Sequence, residues 1–99
     1  MTAPVEFHRL AIAEARAERR YYARIGLGLS ARFMADLDGA ISRISSNPQM
    51  GLPHLYGTRI GRFQRFPFYL VYLEEPWGLL VLAVANHHRK PGYWRRRVP

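Results

Sequence analysis

The segment HHRKPGYW, His87 to Trp94, brings two imidazoles, a guanidinium, an amine and a phenol together within eight residues. An imidazole with an ordinary pKa near about 6.5 exchanges protons at neutral pH, and a guanidinium grips phosphate through two parallel donors. If the last strand continues in regular geometry, His87 and Arg89 project to one side and His88 to the other. Cleaving RNA without a metal needs a base for the 2′-hydroxyl, an acid for the leaving oxygen and cations for the charge growing on phosphorus. His87, Tyr93, Arg65 and Arg89 are the candidates for those roles. A plainer reading competes with this one. His87 then holds the strand end by a hydrogen bond and His88 faces solvent, because no spacing fixes a second catalytic group.

The other candidates are cationic residues that would meet a target. Arg59, Arg62 and Arg65 fall on one expected strand, where they either face an anion or acidic protein or protect a sheet edge from other chains. Lys90, Arg95, Arg96 and Arg97 would raise affinity for a polyanion in a salt-dependent way, although an arginine run also reads as a mobile solvated tail. Tyr93 and Trp94 either fold back over the sheet or offer flat faces on which bases stack, with packing favoured for Trp94. Glu14, Glu18, Asp36 and Asp38 have arginines nearby on helical segments and read as solvated faces, not as a carboxylate pair.

Composition narrows the classes. A chain of 99 residues, 48% apolar and 22% charged, suffices for one core, so a single domain over 1–99 is expected. The lack of cysteine excludes disulfides and thiolate metal sites, and the 4 scattered histidines show no ligand spacing, so no metal or cofactor is expected. No apolar run approaches the roughly 18 residues that span a bilayer, and MTAPVEFHRL lacks a signal-peptide pattern. A cytoplasmic protein without a membrane role is the expectation. A formal charge of +8 favours an anionic partner. Much of it lies late: from Thr58 onward, eight lysines or arginines face only Glu74 and Glu75.

These side chains need elements to position them. Val5 to Leu10 reads as a short strand, and the Ala, Glu and Arg from Ala11 onward read as a helix with a stripe of Ala13, Ala17, Tyr21 and Ile25. Gly26, Leu27 and Gly28 interrupt it with a left-handed glycine turn, and Ser30 is placed to cap a second helix. That helix runs to about Ser46 on the stripe Phe33, Leu37, Ala40, Ile41 and Ile44, closed by Asn47 and Pro48. So short a connection makes the two an antiparallel hairpin.

Gln49 to Gly57 reads as a loop, and Arg59 to Phe66 as a strand ended by Pro67. Tyr69 to Glu74 and Leu79 to His87 follow as strands around a Glu-Pro-Trp-Gly turn, the last of them apolar on both faces. The sum is an α+β domain: a strand, an antiparallel helical hairpin, then a three-strand antiparallel meander, in one sheet packed on two helices. Leu37, Ile44, Val71, Leu80, Leu82 and Val84 form the expected core, and the sheet face away from the helices is expected to stay open and cationic.

This order resembles the RelE/ParE superfamily of toxins from type II toxin-antitoxin systems, the plasmid stabilisation family. The likeness spans nearly the whole chain and rests on Tyr21-Tyr22, on ARFMADLDGAISRISSNPQMG (Ala31 to Gly51), on RFPFYLVYLEE (Arg65 to Glu75) and on VLAVANHHRKPGYW (Val81 to Trp94). It implies a growth-inhibiting toxin held inactive by a cognate antitoxin, possible in a hetero-oligomer, whose helical or extended segment wraps the sheet and hairpin. The target implied is either DNA gyrase, poisoned by ParE-like members, or mRNA on the ribosome, cleaved without metal by RelE-like ones. Arg65 and Arg89 match the RelE-like phosphate-handling arginines, and Tyr93 falls near their C-terminal tyrosine. The RelE-like lysines have no counterpart, since Lys90 is the only lysine, and the intact hairpin looks more like ParE. Outside that resemblance, a non-enzymatic basic module that binds nucleic acid or an acidic protein without toxicity fits the same composition.

Overall fold

The structure, a computed structural model, describes residues 2–99. β1 (Val5–Phe7) leads into α1 (Arg9–Ile25) and α2 (Leu27–Ser46), and β2 (Leu52–Pro53), β3 (Arg59–Arg62), β4 (Phe68–Glu75) and β5 (Gly78–Asn86) follow. Together they form one five-stranded sheet in the order β1-β5-β4-β3-β2, antiparallel except where β1 runs parallel to β5. The α+β class and the β3-β4-β5 meander are those expected. The two-residue β2 is an addition, paired to β3 inside the stretch read as loop.

Several local expectations give way to hydrogen-bond accounting. β1 stops at Phe7 because the His8 ring caps α1, its Nδ1 accepting the Leu10 N–H at 3.1 Å. Leu10 is therefore helical. Gly26 joins the helices with φ 179, which is extended backbone, so the expected left-handed turn is absent there. Its N–H donates to the Tyr22 carbonyl and its own carbonyl accepts from Ser30, at 2.9 and 3.2 Å. Ser30 is thus one turn inside α2 instead of capping it, and its hydroxyl donates to the Arg19 carbonyl at 3.3 Å.

The main core lies between α2 and the sheet. Phe33, Leu37, Ala40 and Ile44 of α2 meet Phe68, Leu70 and Tyr72 of β4 and Leu79, Val81 and Val84 of β5, with Phe63 beside them. The α1 stripe read from the sequence is turned outward: Ala13, Ala17, Tyr21 and Ile25 are exposed. The stripe that faces inward is Ala11, Ala15 and Tyr22, and Glu14 and Glu18 share its spacing at partial burial. Alanine occupies both faces of this helix, so alanine spacing could not tell them apart. Backbone approach is close where β3 crosses α2, since a Cβ on Gly61 would come within 2.6 Å of the Ile44 Cγ2.

The far face of the sheet is covered, contrary to the expectation of an open cationic surface. Trp94, fully buried, packs there on Val71, Leu82, Ala83 and Ala85, with Tyr69, Leu80, Tyr93 and Val98 around it. Leu80 belongs to this second layer and is half-buried, while Leu37, Ile44, Val71, Leu82 and Val84 are core as expected. An apolar strand that is buried on both sides needs two covers. The helices supply one and residues 93–98 the other.

Candidate functional site

β5 decides where the candidate side chains point. Its pairing with β4 slips between Val71 and Tyr72, so Val71 pairs with Ala83 and Tyr72 with Val81. Leu82 is the extra residue of this bulge, and Leu82 and Ala83 consequently face the same layer. The strand then ends at Asn86, whose side chain accepts the His88 N–H at 2.8 Å while its carbonyl accepts the Arg89 N–H at 3.0 Å.

This turn overturns the expected alternation. His87 goes to the Tyr69 side, its ring 5.6 Å from that of Tyr69, and its N–H donates to the Pro67 carbonyl at 2.9 Å. His88 and Arg89 instead line a cavity of about 340 Å³ with Glu14, Glu18 and Tyr93. His87 and Arg89 are not paired on one side because regular strand geometry stops before either residue. Arg65 is in the bend 64–67, not on a strand with Arg59 and Arg62, and does not line that cavity.

Glu14 is the centre of this end of the molecule, and the solvated role read for it does not hold. Its side chain is 17% exposed and bonded on both oxygens. Oε1 accepts from Arg97 Nη1 at 2.9 Å and from the Val84 N–H at 3.0 Å; Oε2 accepts from the Tyr93 hydroxyl at 2.7 Å and from Arg97 Nη2 at 3.1 Å. Arg97 Nη1 also donates to the Leu82 carbonyl at 3.0 Å. The cause lies in strand length. Three-residue β1 leaves the outer edge of β5 without a neighbour beyond Val81, and Glu14 and Arg97 satisfy the exposed N–H and carbonyl.

The same network fixes Tyr93. Burial, the hydrogen bond to Glu14 and the Glu14 charge push its phenol far above the ordinary tyrosine value, against the opposing pull of Arg97 and Arg89. Its ring carries Arg89 on its face, with the guanidinium carbon 3.8 Å from the centroid and that of Arg97 at 5.2 Å. Glu18, beside Glu14, is raised by burial and then by its neighbour's charge. Arg97 is accordingly no part of a loose tail: residues 95–97 form a 3-10 turn behind the buried Trp94.

Arg59 is also internally engaged. Its Nε meets Glu74 at 3.0 Å, and Nη1 donates to the carbonyls of Gln49 and Gly51 at 3.2 and 2.8 Å. Arg62, Arg65, His87, Lys90, Arg95 and Arg96 are exposed. Arg95 lies over the Tyr56 ring at 5.1 Å. Asp36, also read as solvated, is buried and holds the bend 64–67 by accepting the N–H groups of Gln64, Arg65 and Phe66 at 3.1, 2.8 and 2.8 Å. Burial raises its pKa, but these bonds and the Arg43 charge outweigh it and hold the carboxyl below its ordinary value. The signal for Glu14 was its register with Ala11, Ala15 and Tyr22; for Asp36 it was adjacency to Leu37 on a buried stripe.

A second surface is apolar. Between the end of α2 and the β2-β3 edge runs a groove of about 490 Å³ lined by Ile44, Met50, Leu52, Ile60 and Gly61. Met50 and Leu52 are 75% and 50% exposed. Among the described residues no cluster of metal-ligating side chains occurs, and no helix is long and apolar enough to cross a membrane.

Comparison with known proteins agrees with this architecture. No curated protein matches the chain. A solved structure, of the chromosomal ParDE toxin-antitoxin system from P. aeruginosa, superposes with a TM-score of 0.71 at 16% identity, covering 86% of this chain and 96% of that one. At that identity the likeness concerns the fold. The family model described as the ParE toxin of the type II toxin-antitoxin system parDE matches residues 5–91, and the chain belongs to that family.

Proposed function

We propose that this protein acts in the cytoplasm as a growth-inhibiting toxin that poisons DNA gyrase and is neutralised by a cognate antitoxin. The observation that carries the choice of gyrase over ribosomal mRNA is the Tyr93 hydroxyl, donated to Glu14 at 2.7 Å with its pKa raised. A phenol so held has no free proton to exchange near neutrality, which removes one acid-base role from a metal-free nuclease. His87 and Arg89 also sit on different sides of the strand end, so they do not converge on one phosphate. The target is then met by the exposed cations Arg62, Arg65, Lys90, Arg95 and Arg96 with His87, while Arg59, Arg97 and Tyr93 hold the surface in shape.

The antitoxin occupies the groove beside α2, where exposed Met50 and Leu52 adjoin an unpaired strand edge that can accept a further strand or an amphipathic helix. The test is purified toxin assayed for gyrase-mediated DNA breaks and loss of supercoiling, beside transcript cleavage on purified ribosomes. DNA breaks with intact transcript are expected. Cleaved transcript with unaffected gyrase reverses the target. If expression without the neighbouring antitoxin gene leaves growth unchanged, the toxin reading fails and the non-toxic binding module takes its place.

A further inference from the structure

The outer face of α1 carries charge that the fold does not use. Arg9, Arg16, Arg20 and Arg24 are exposed. At about 100° per residue they fall within about 80° of one another around the helix, and along it they span about 22 Å, with about 6 Å between the last three. The two ion pairs among the described residues employ Arg59 and Arg97, so these four arginines have no carboxylate partner. The acids of α1 point elsewhere: Glu14 is bound to Arg97 and Tyr93, and Glu18 is partly buried beside it.

Folding alone disfavours this arrangement. Arg16, Arg20 and Arg24 are like charges at i, i+4 spacing, and Arg9 stands in the first turn, where the helix dipole favours an acid and none occurs. Local choices that oppose the fold without internal compensation mark a surface serving something outside it. Ala13 lies between the arginines on this arc and Ala17 lies just beyond Arg24, and both leave room for close approach and supply no large anchor. A protein interface centres on a few anchors, aromatic or arginine, clustered in a desolvated pocket, whereas a phosphate backbone asks for exposed arginines at intervals along a straight line. Exposed Tyr21, Ile25 and Leu27 lie off the arc, at the hairpin tip.

We propose that the outer face of α1 is a contact surface for the backbone of duplex DNA, with Arg9, Arg16, Arg20 and Arg24 each meeting a phosphate and no base being read. This surface is separate from the groove beside α2, to which no residue of α1 contributes. It does not depend on gyrase as the target.

The experiment measures binding of the full chain, without gyrase, to a labelled 20-base-pair duplex between 50 and 200 mM salt. Four phosphate contacts give a slope of log K against log salt of about −3.6, an affinity loss of about 150-fold over that range. R16A/R20A/R24A, which places strong helix formers on a solvent face, should bring the slope to about −0.9. R20A alone should lower it by about 0.9, which keeps the test valid if the triple variant folds poorly. R16K/R20K/R24K should retain the slope, because phosphate accepts lysine as a point charge. Undetectable binding at 50 mM salt, or a slope unmoved by these alanine changes, overturns the proposal. So does displacement by polyglutamate at lower concentration than by unlabelled duplex, since the ridge would then belong to an acidic protein. Because bare DNA is the probe, none of these failures bears on gyrase poisoning.

Discussion

Replacing Glu14 by alanine tests whether the C-terminal segment is fastened or merely adjacent. The substitution leaves Arg97 unpaired at 12% side-chain exposure, frees the Tyr93 hydroxyl and orphans the Val84 N–H on an edge without a neighbouring strand. Removing one partner of a fully buried pair costs about 3 to 5 kcal/mol, and the residual exposure here lowers that to about 2 to 3 kcal/mol. For a chain of 99 residues this corresponds to a fall in Tm of roughly 10 °C. E14Q keeps the shape and one acceptor, so it should lose less. The cycle of E14A, R97A and the double variant isolates the pair, and a coupling of about 1 to 3 kcal/mol by urea unfolding is expected. Near-zero coupling, with E14A costing under about 0.5 kcal/mol, would refute the assignment of Glu14 as the cap of β5. Linkage gives a second readout. A tyrosine whose folded pKa is raised contributes stability that is complete below the unfolded value near about 10 and is lost as pH climbs through the folded one. The wild type should therefore lose stability above about pH 10 more steeply than E14A.

Asp36→Ala removes the acceptor of three backbone N–H groups and should cost about 3 kcal/mol by denaturant titration. Because the folded Asp36 pKa is lowered, its contribution is present above the unfolded value near about 4 and is lost as pH falls through the folded value, so D36N should flatten the acid limb of a stability-pH curve. Gly61→Ala drives a methyl against the Ile44 Cγ2, a cost of about 1 to 3 kcal/mol that I44L, which lacks that β-branch methyl, should partly relieve in a double variant. Trp94→Ala empties the second layer and should cost about 3 to 5 kcal/mol, with faster proteolysis near the C-terminus than in the wild type.

Periodicity and punctuation carried the architecture. The α2 stripe and the two-faced apolar run of β5 each have a local cause, so their elements appeared close to where expected, whereas the strand read up to Pro67 stops at Arg62, ahead of the bend 64–67. Alanine spacing on α1 had no such power. With alanine on both faces, only the sheet decides which side turns in, and it selected Ala11, Ala15 and Tyr22. The site was legible as composition but not as geometry. Arg65, His87, Arg89 and Tyr93 are gathered at one end of the sheet, yet the turn at Asn86 sends His87 to the Tyr69 side and Arg89 into the cavity beside Glu14.

A small basic α+β chain with a helical hairpin and a meander is readable from the residues in order, because helix and strand periods act over a few neighbouring residues. Which charges are neutralised internally depends on how the elements come together in space. Glu14 and Arg97 are 83 residues apart in the chain and meet because a three-residue β1 leaves part of the β5 edge bare. Unmet backbone groups on that edge demand side-chain partners, and nothing local to either residue announces it.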